Sequence, residues 1–195
     1  MKIRLSAIAA CCLALTATVA DVAGAAPFSF SWRQEIVPSD RPYFVDFRAR
    51  AGSITGHTFI VFGRLSKDGR LISIQNADVY PVDHEVGAVV GTIAPVRGEV
   101  RLREGDSKRI TSINYRRYLT AAEFARLQAA VRHERMVDRQ WSLLLFNCND
   151  FAINIARALG LRTPPSLMLP ATFVATLRLI NGRQRSAGSV NSAWR

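Results

Sequence analysis

Tyr43-Phe44-Val45-Asp46-Phe47-Arg48-Ala49-Arg50 alternates apolar and polar positions, the period-two pattern of a half-buried strand. A second strand is expected over residues 54–65, a strongly apolar and β-branched run, and a third over 71–82. Between them Lys67-Asp68-Gly69-Arg70 has turn chemistry with Asp-Gly at its tip, so the second and third strands form a hairpin. Residues 100–103 and 110–115 read as two more strands across the polar turn Glu104-Gly105-Asp106-Ser107. Residues 85–99, rich in Val, Gly and Pro, fit a loop or short strands.

The period then changes. Thr120 and Glu123 have capping-box spacing, so a helix starts at Ala121, with Phe124, Leu127 and Val131 on its apolar face and His133 opposite. Residues 141–146 are expected as a short extended segment. A helix follows over 149–159, stopped by Gly160. Thr163-Pro164-Pro165-Ser166 is a rigid linker, and a last helix covers 170–180 with Pro170 in its first turn. Residues 27–38 read as an extended lead-in. No internal repeat is visible. The expected fold class is α+β, an antiparallel sheet packed against helices in one domain over 26–181, with 182–195 as a flexible basic tail.

The N-terminus adds a compartment. Lys2 and Arg4 precede an uncharged apolar run to Ala20, and Ala23-Gly24-Ala25 has the small-x-small pattern of a cleavage site. Residues 1–25 are therefore expected to be a signal peptide, with Ala20 as a second cleavage position and a periplasmic or secreted product. The run is too short and alanine-rich for a membrane span. A lipidated Cys11 is disfavoured because the apolar run continues well past it. The 195-residue chain carries 26 Lys and Arg against 15 Asp and Glu, a net charge of +11. Such a surface suits anionic envelope partners such as phospholipid or acidic wall polymers, although a plain solvated surface has the same composition. No nucleic-acid motif is present, and a monomer is expected.

Three cysteines are encoded. Cys11 and Cys12 leave with the leader, and Cys148 stays alone. A single cysteine in an oxidising compartment is either buried and inert or reactive. Phe146-Asn147-Cys148-Asn149-Asp150-Phe151 places it among good capping residues at a helix start. A helix N-terminus stabilises a thiolate and offers free N–H groups to an oxyanion, here those of Cys148 and Asn149. Cys148, Phe151, Ala152 and Ile155 share one helical face, which turns the thiol toward the sheet. Simple core packing uses the same face. His57, after Gly56 at the head of a strand, can lean over the sheet edge toward the thiol, or serve as a structural histidine. His84 is the other candidate base, in a polar turn. Mirror pairing about Asp68-Gly69 sets His57 opposite residues 78–80, with Asp78, Asn76 and Gln75 nearby and the register open.

His57 at a strand head and Asn147-Cys148-Asn149-Asp150-Phe151 opening a late helix resemble the circularly permuted branch of the NlpC/P60 papain-like superfamily. Within it they look like the lecithin:retinol acyltransferase-like proteins and related bacterial exported proteins. The resemblance runs from Gly56 to the helix after Cys148. It implies a permuted papain-like fold, a thiolate nucleophile at Cys148, a general base at His57 and a polar orienting residue on the strand ending near Tyr80. That family often has a second histidine there, where this chain has Gln75, Asn76 and Asp78. The resemblance favours Asn76, since an amide orients the imidazole in papain-like enzymes. Members cleave amide bonds in wall peptides, or move or hydrolyse acyl groups on lipids, with no metal or other cofactor. Three histidines and one remaining cysteine without ligand spacing also argue against a metal site. The expected function is an exported cysteine hydrolase or acyltransferase acting on a cell-wall peptide or a lipid acyl group. The alternative is a catalytically silent module that binds wall polymer or membrane. The apolar run Pro165-Ser166-Leu167-Met168-Leu169-Pro170 either lines an acyl pocket or packs the core.

Overall fold

The alternating run Tyr43–Arg50 is β1, the second strand from one edge of a six-stranded sheet. The computed structural model describes residues 37–51, 56–83, 86–105 and 111–182, all within the unit Gln34–Arg195. The leader, most of the lead-in, His84 and the tail beyond Gly182 lie outside the described residues. β2 is His57–Leu65 and β3 is Leu71–Pro81, joined by the expected hairpin with Gly69 at φ 79°. A short helix α1, Val86–Val90, precedes β4, Val96–Glu104, then β5, Ile113–Leu119. Helix α2 is Ala121–Met136, β6 is Arg139–Trp141, α3 is Cys148–Ala158 and α4 is Pro170–Gly182. The strand order is β5-β1-β2-β3-β4-β6, every neighbouring pair antiparallel. The fold is α+β, as the patterning implies.

β4 takes the free edge of β3 while β5 pairs with β1, Tyr43 against Leu119. Two local expectations change. Residues 85–99 hold α1 and the start of β4. Residues 142–146 are a turn closed by a Ser142–Phe146 bridge, not an extended segment.

Alternation sorts the sheet residues between two apolar faces. Phe47, Ile60, Phe62 and Val79 point to the helices, where Leu127 and Val131 of α2, Phe151 and Ile155 of α3, and Phe173 and Leu177 of α4 complete the main core. Each large side chain fully buried there contributes about 1.5–3 kcal/mol by area. Phe44, Phe59, Val61, Leu65 and Tyr118 form a smaller cluster on the opposite face. The helix ends follow local chemistry. Thr120 and Glu123 form a reciprocal capping box on α2, and Gly160 at φ 70° lets the chain leave α3, with the Leu161 N–H returning to Ala156 O at 2.9 Å.

Candidate active site

The start of α3 is fixed by its own sequence. Asn147 is the N-cap: its side-chain oxygen accepts from the Asn149 N–H at 2.8 Å and from the backbone of Asp150, while Asp150 Oδ2 accepts from the Asn147 N–H at 2.9 Å. Cys148 is thereby held at the first helical position, a free thiol half-buried against the main core. Asn149 is fully engaged beside it. Its Oδ1 accepts from the Thr58 hydroxyl at 2.6 Å, and its Nδ2 donates to Ser166 O at 2.8 Å and Met168 O at 2.7 Å. One buried amide therefore ties the helix start to β2 and to the segment before α4.

His57 is the first residue of β2. Gly56, at φ 79°, delivers it through a turn in which a Cβ would stand 2.8 Å from Arg50 O, so a side chain there is excluded. Carried outward, the β2–β3 register sets His57 opposite Tyr80 and Asp78 opposite Phe59. The His57 ring stacks on Tyr80 at 4.3 Å between centroids, and its Nε2 lies 3.6 Å from Asp78 Oδ2, an ion-pair distance rather than a close hydrogen bond. Arg103 Nη1 approaches the same carboxylate oxygen at 3.5 Å, and the Arg50 guanidinium donates to the Tyr80 hydroxyl. With Nε2 turned to Asp78, Nδ1 is the nitrogen left for the thiol.

The electrostatics of the pair are mutual. Burial works against an imidazolium, but Asp78 and Cys148 outweigh it and raise His57 to about 9. Burial likewise works against a thiolate, but the hydrogen bond and charge of His57, aided by Thr58, outweigh it and lower the Cys148 thiol. The Thr58 hydroxyl commits its proton to Asn149, so its backbone N–H is the donor left for sulfur. A thiolate beside an imidazolium is the favoured state of the two groups.

The site therefore brings Cys148 and His57 together, with Asp78 behind the imidazole. Asn76, the orienting residue expected from the resemblance, is elsewhere: its Nδ2 donates to Gly105 O at 2.9 Å. It shares the face of His57 but pairs with Val61, four residues along β2, about 13 Å at strand rise. Gln75 pairs with Phe62 and belongs to the other face. The oxyanion expectation also changes in part. The Asn149 N–H is taken by Asn147 Oδ1, whereas the Cys148 N–H makes no hydrogen bond among the described residues. Sequence reasoning misses Thr58, Tyr80 and Arg103. Thr58 carries a usable signal, since the residue after His57 must face the helices by alternation. His133 is exposed on α2. No three His, Cys, Asp or Glu side chains among the described residues converge as metal ligands.

No protein-family model matches the chain, and no curated protein sequence matches it. Among solved structures it is similar to the type VI secretion system effector TseH, at 12% identity and a TM-score of 0.44, over 73% of this chain and 90% of that one. At that identity and overlap the similarity bears on neither substrate nor partner.

Proposed function

We propose that the protein is an exported thiol hydrolase or acyltransferase in which Cys148 attacks an amide or ester carbonyl of a cell-envelope compound. One observation carries this reading: a thiol at the first position of α3 whose ionisation is favoured by His57, itself held protonated by Asp78. The Cys148 thiolate adds to the carbonyl carbon, and the resulting oxyanion is held by the Cys148 N–H and the positive end of α3. His57 then gives its proton to the departing amine or alcohol, which breaks the bond to the acyl group and leaves a thioester. Water, deprotonated by His57, releases the acid; an amine or alcohol acceptor in its place makes the reaction a transfer. The resemblance of Asn147-Cys148-Asn149-Asp150-Phe151 to the permuted NlpC/P60 branch supports the same roles, with Asp78 standing where that family often has histidine.

A silent binding module is the second reading, favoured by the loss of the Asn149 N–H to the helix cap. A panel of acyl and peptide probes, read by mass spectrometry, separates the two. An adduct on Cys148 that disappears in His57→Ala supports the enzyme. No adduct from any probe, with iodoacetamide reacting no faster than at a free thiol, supports the silent module.

A further inference from the structure

Three strands bring a row of side chains across the sheet face that carries His57. Arg50 of β1 pairs directly with His57, and the β2–β3 register carried outward sets Tyr80 on its other side. Directly paired residues share a face, so all three point the same way. Asp78, two residues back along β3, lies on that face as well. The imidazole is held at its edge and on its plane. Its Nε2 meets Asp78 at 3.6 Å, and the ring lies on Tyr80 at 4.3 Å between centroids, with 28° between the planes. That distance is well inside the range of about 6 Å over which an aromatic face attracts a cation. Phe59, the next residue of β2 on this face, is more nearly parallel at 8°, but its centroid is 6.4 Å away. Tyr80 is therefore the ring that acts on His57.

The face of an aromatic ring is negative, so it attracts an imidazolium more than a neutral imidazole. Burial works the other way, against the charged form, and is the largest single influence on His57. A tyrosine here thus has two opposed effects: it keeps water off the imidazole, and it offers it a negative face. The hydroxyl end favours the second. It accepts from the Arg50 guanidinium, which holds the cation opposite His57 at the tip of the phenol and not against the imidazole. The remaining charges lie one strand further, on β4. Arg103 faces Asp78 at 3.5 Å, and Arg101, whose Nε pairs with Glu99, stands 5.8 Å from the Tyr80 centroid. Tyr80 itself stays neutral, because burial and then Asp78 push its phenol well above its usual value.

We propose that Tyr80 is a positioning residue of the site, whose ring face binds the His57 imidazolium and fixes the plane in which Nε2 meets Asp78 and Nδ1 is left to the thiol. Asp78 supplies the charge at the edge of the imidazole, and Tyr80 supports its face. On the catalytic reading above, on which this sentence alone rests, Tyr80→Leu lowers kcat about threefold to tenfold and leaves KM unchanged, because Tyr80 acts through His57 and does not touch substrate.

The test reads protonation and not turnover: the pH midpoint of the His57 ring resonances, by NMR of the full chain. Three histidines are encoded, and the His57 signal is the one lost in His57→Gln. Tyr80→Leu keeps an apolar cover over the imidazole and removes the aromatic face. Its midpoint is expected about one pH unit below that of the wild type, and that of Tyr80→Phe within about 0.3 unit of it. The proposal is overturned if the Tyr80→Leu midpoint stays, which makes the ring plain packing, or rises, which makes it a cover that keeps water off. A Tyr80→Phe midpoint as low as that of Tyr80→Leu overturns it too, by putting the effect in the hydroxyl. Tyr80 is half-buried, and circular dichroism checks that Tyr80→Leu folds. Where it does not, pentafluorophenylalanine in place of Tyr80 keeps the shape of phenylalanine and reverses the polarity of the face. Its midpoint is expected below that of Tyr80→Phe, and equality of the two overturns the proposal. A chain without acyl-transfer activity still tests the stack, and an active chain whose midpoint ignores Tyr80 fails this proposal alone.

Discussion

His57 Nε2 and Asp78 Oδ2 meet at 3.6 Å across β2 and β3, on the diagonal of an antiparallel register. That carboxylate is a main reason the imidazole stays charged despite its burial. Asp78→Asn keeps a hydrogen-bond acceptor near Nε2 and removes the charge. His57 then loses its proton at lower pH, and the Cys148 thiolate in turn loses part of its support. The alkylation profile of Cys148 should move to higher pH in Asp78→Asn, with turnover falling about tenfold or more. Asn76→Ala, whose side chain serves Gly105, should leave the profile where it is. A profile moved by Asn76→Ala and not by Asp78→Asn would reverse the assignment.

The signs of the two shifts set a pH window. A thiol lowered from its usual value keeps its anion down to more acidic pH, and a histidine raised to about 9 keeps its proton up to that pH. Between the two limits the pair stands as thiolate and imidazolium. Iodoacetamide should therefore label Cys148 at pH 6 at least about tenfold faster than a free thiol of pKa near 8.5. Labelling should continue above pH 9, because the thiolate persists there. Acyl transfer should fall as pH passes about 9, because the leaving group loses its proton donor. His57→Ala should abolish the fast labelling at pH 6.

Much of this arrangement is legible in the sequence wherever it depends on neighbours along the chain. Thr120 with Glu123 and Asn147 with Asp150 are spaced to close their caps, and both do. The Asp68-Gly69 turn sets a hairpin register that brings His57 beside residues 78–80. Long-range choices are less legible. The turn chemistry read at residues 104–107 does not say which edge each strand will find: β4 takes the edge of β3 and β5 crosses to the open edge of β1, so the two run in the same direction. Asn76 and Asp78 share a face and differ only in position along β3, so composition cannot choose between them. The role of Asn149 is hidden for another reason, since its partners lie on β2 and before α4, far away in sequence.

Asn149 leads to a third expectation. Its amide is buried and uses its three hydrogen bonds to hold β2, α3 and the 166–168 segment together. Asn149→Ala leaves the Thr58 hydroxyl and two carbonyls unpaired, at about 1–3 kcal/mol each where they stay dry. Asn149→Asp keeps the acceptor for Thr58 but repels the Ser166 and Met168 carbonyls and places a negative charge beside the thiolate. Denaturant unfolding should show both variants destabilised. Only Asn149→Asp should also slow alkylation at pH 6 beyond what its loss of stability explains.

The cap at Asn147 couples stability to reactivity in one residue. Its side chain accepts from the N–H groups of Asn149 and Asp150, and its amide holds Leu143 O. Asn147→Ala should cost about 0.5–2 kcal/mol, the usual range for losing a cap. At roughly 2–4 °C per kcal/mol for a domain of this size, the melting midpoint falls by a few degrees. The consequence for chemistry follows from the dipole, because a frayed first turn no longer aligns its peptide dipoles beside the thiol. The thiol should then titrate higher, and alkylation at pH 6 should slow even at temperatures where the variant is fully folded. Asn147→Asp supplies a cap of equal quality and should restore the melting midpoint. It also adds a negative charge one residue before Cys148, however, and so should leave labelling at pH 6 slow. If Asn147→Ala melts early yet labels at the wild-type rate, the helix start is structural, and the thiolate depends on His57 alone.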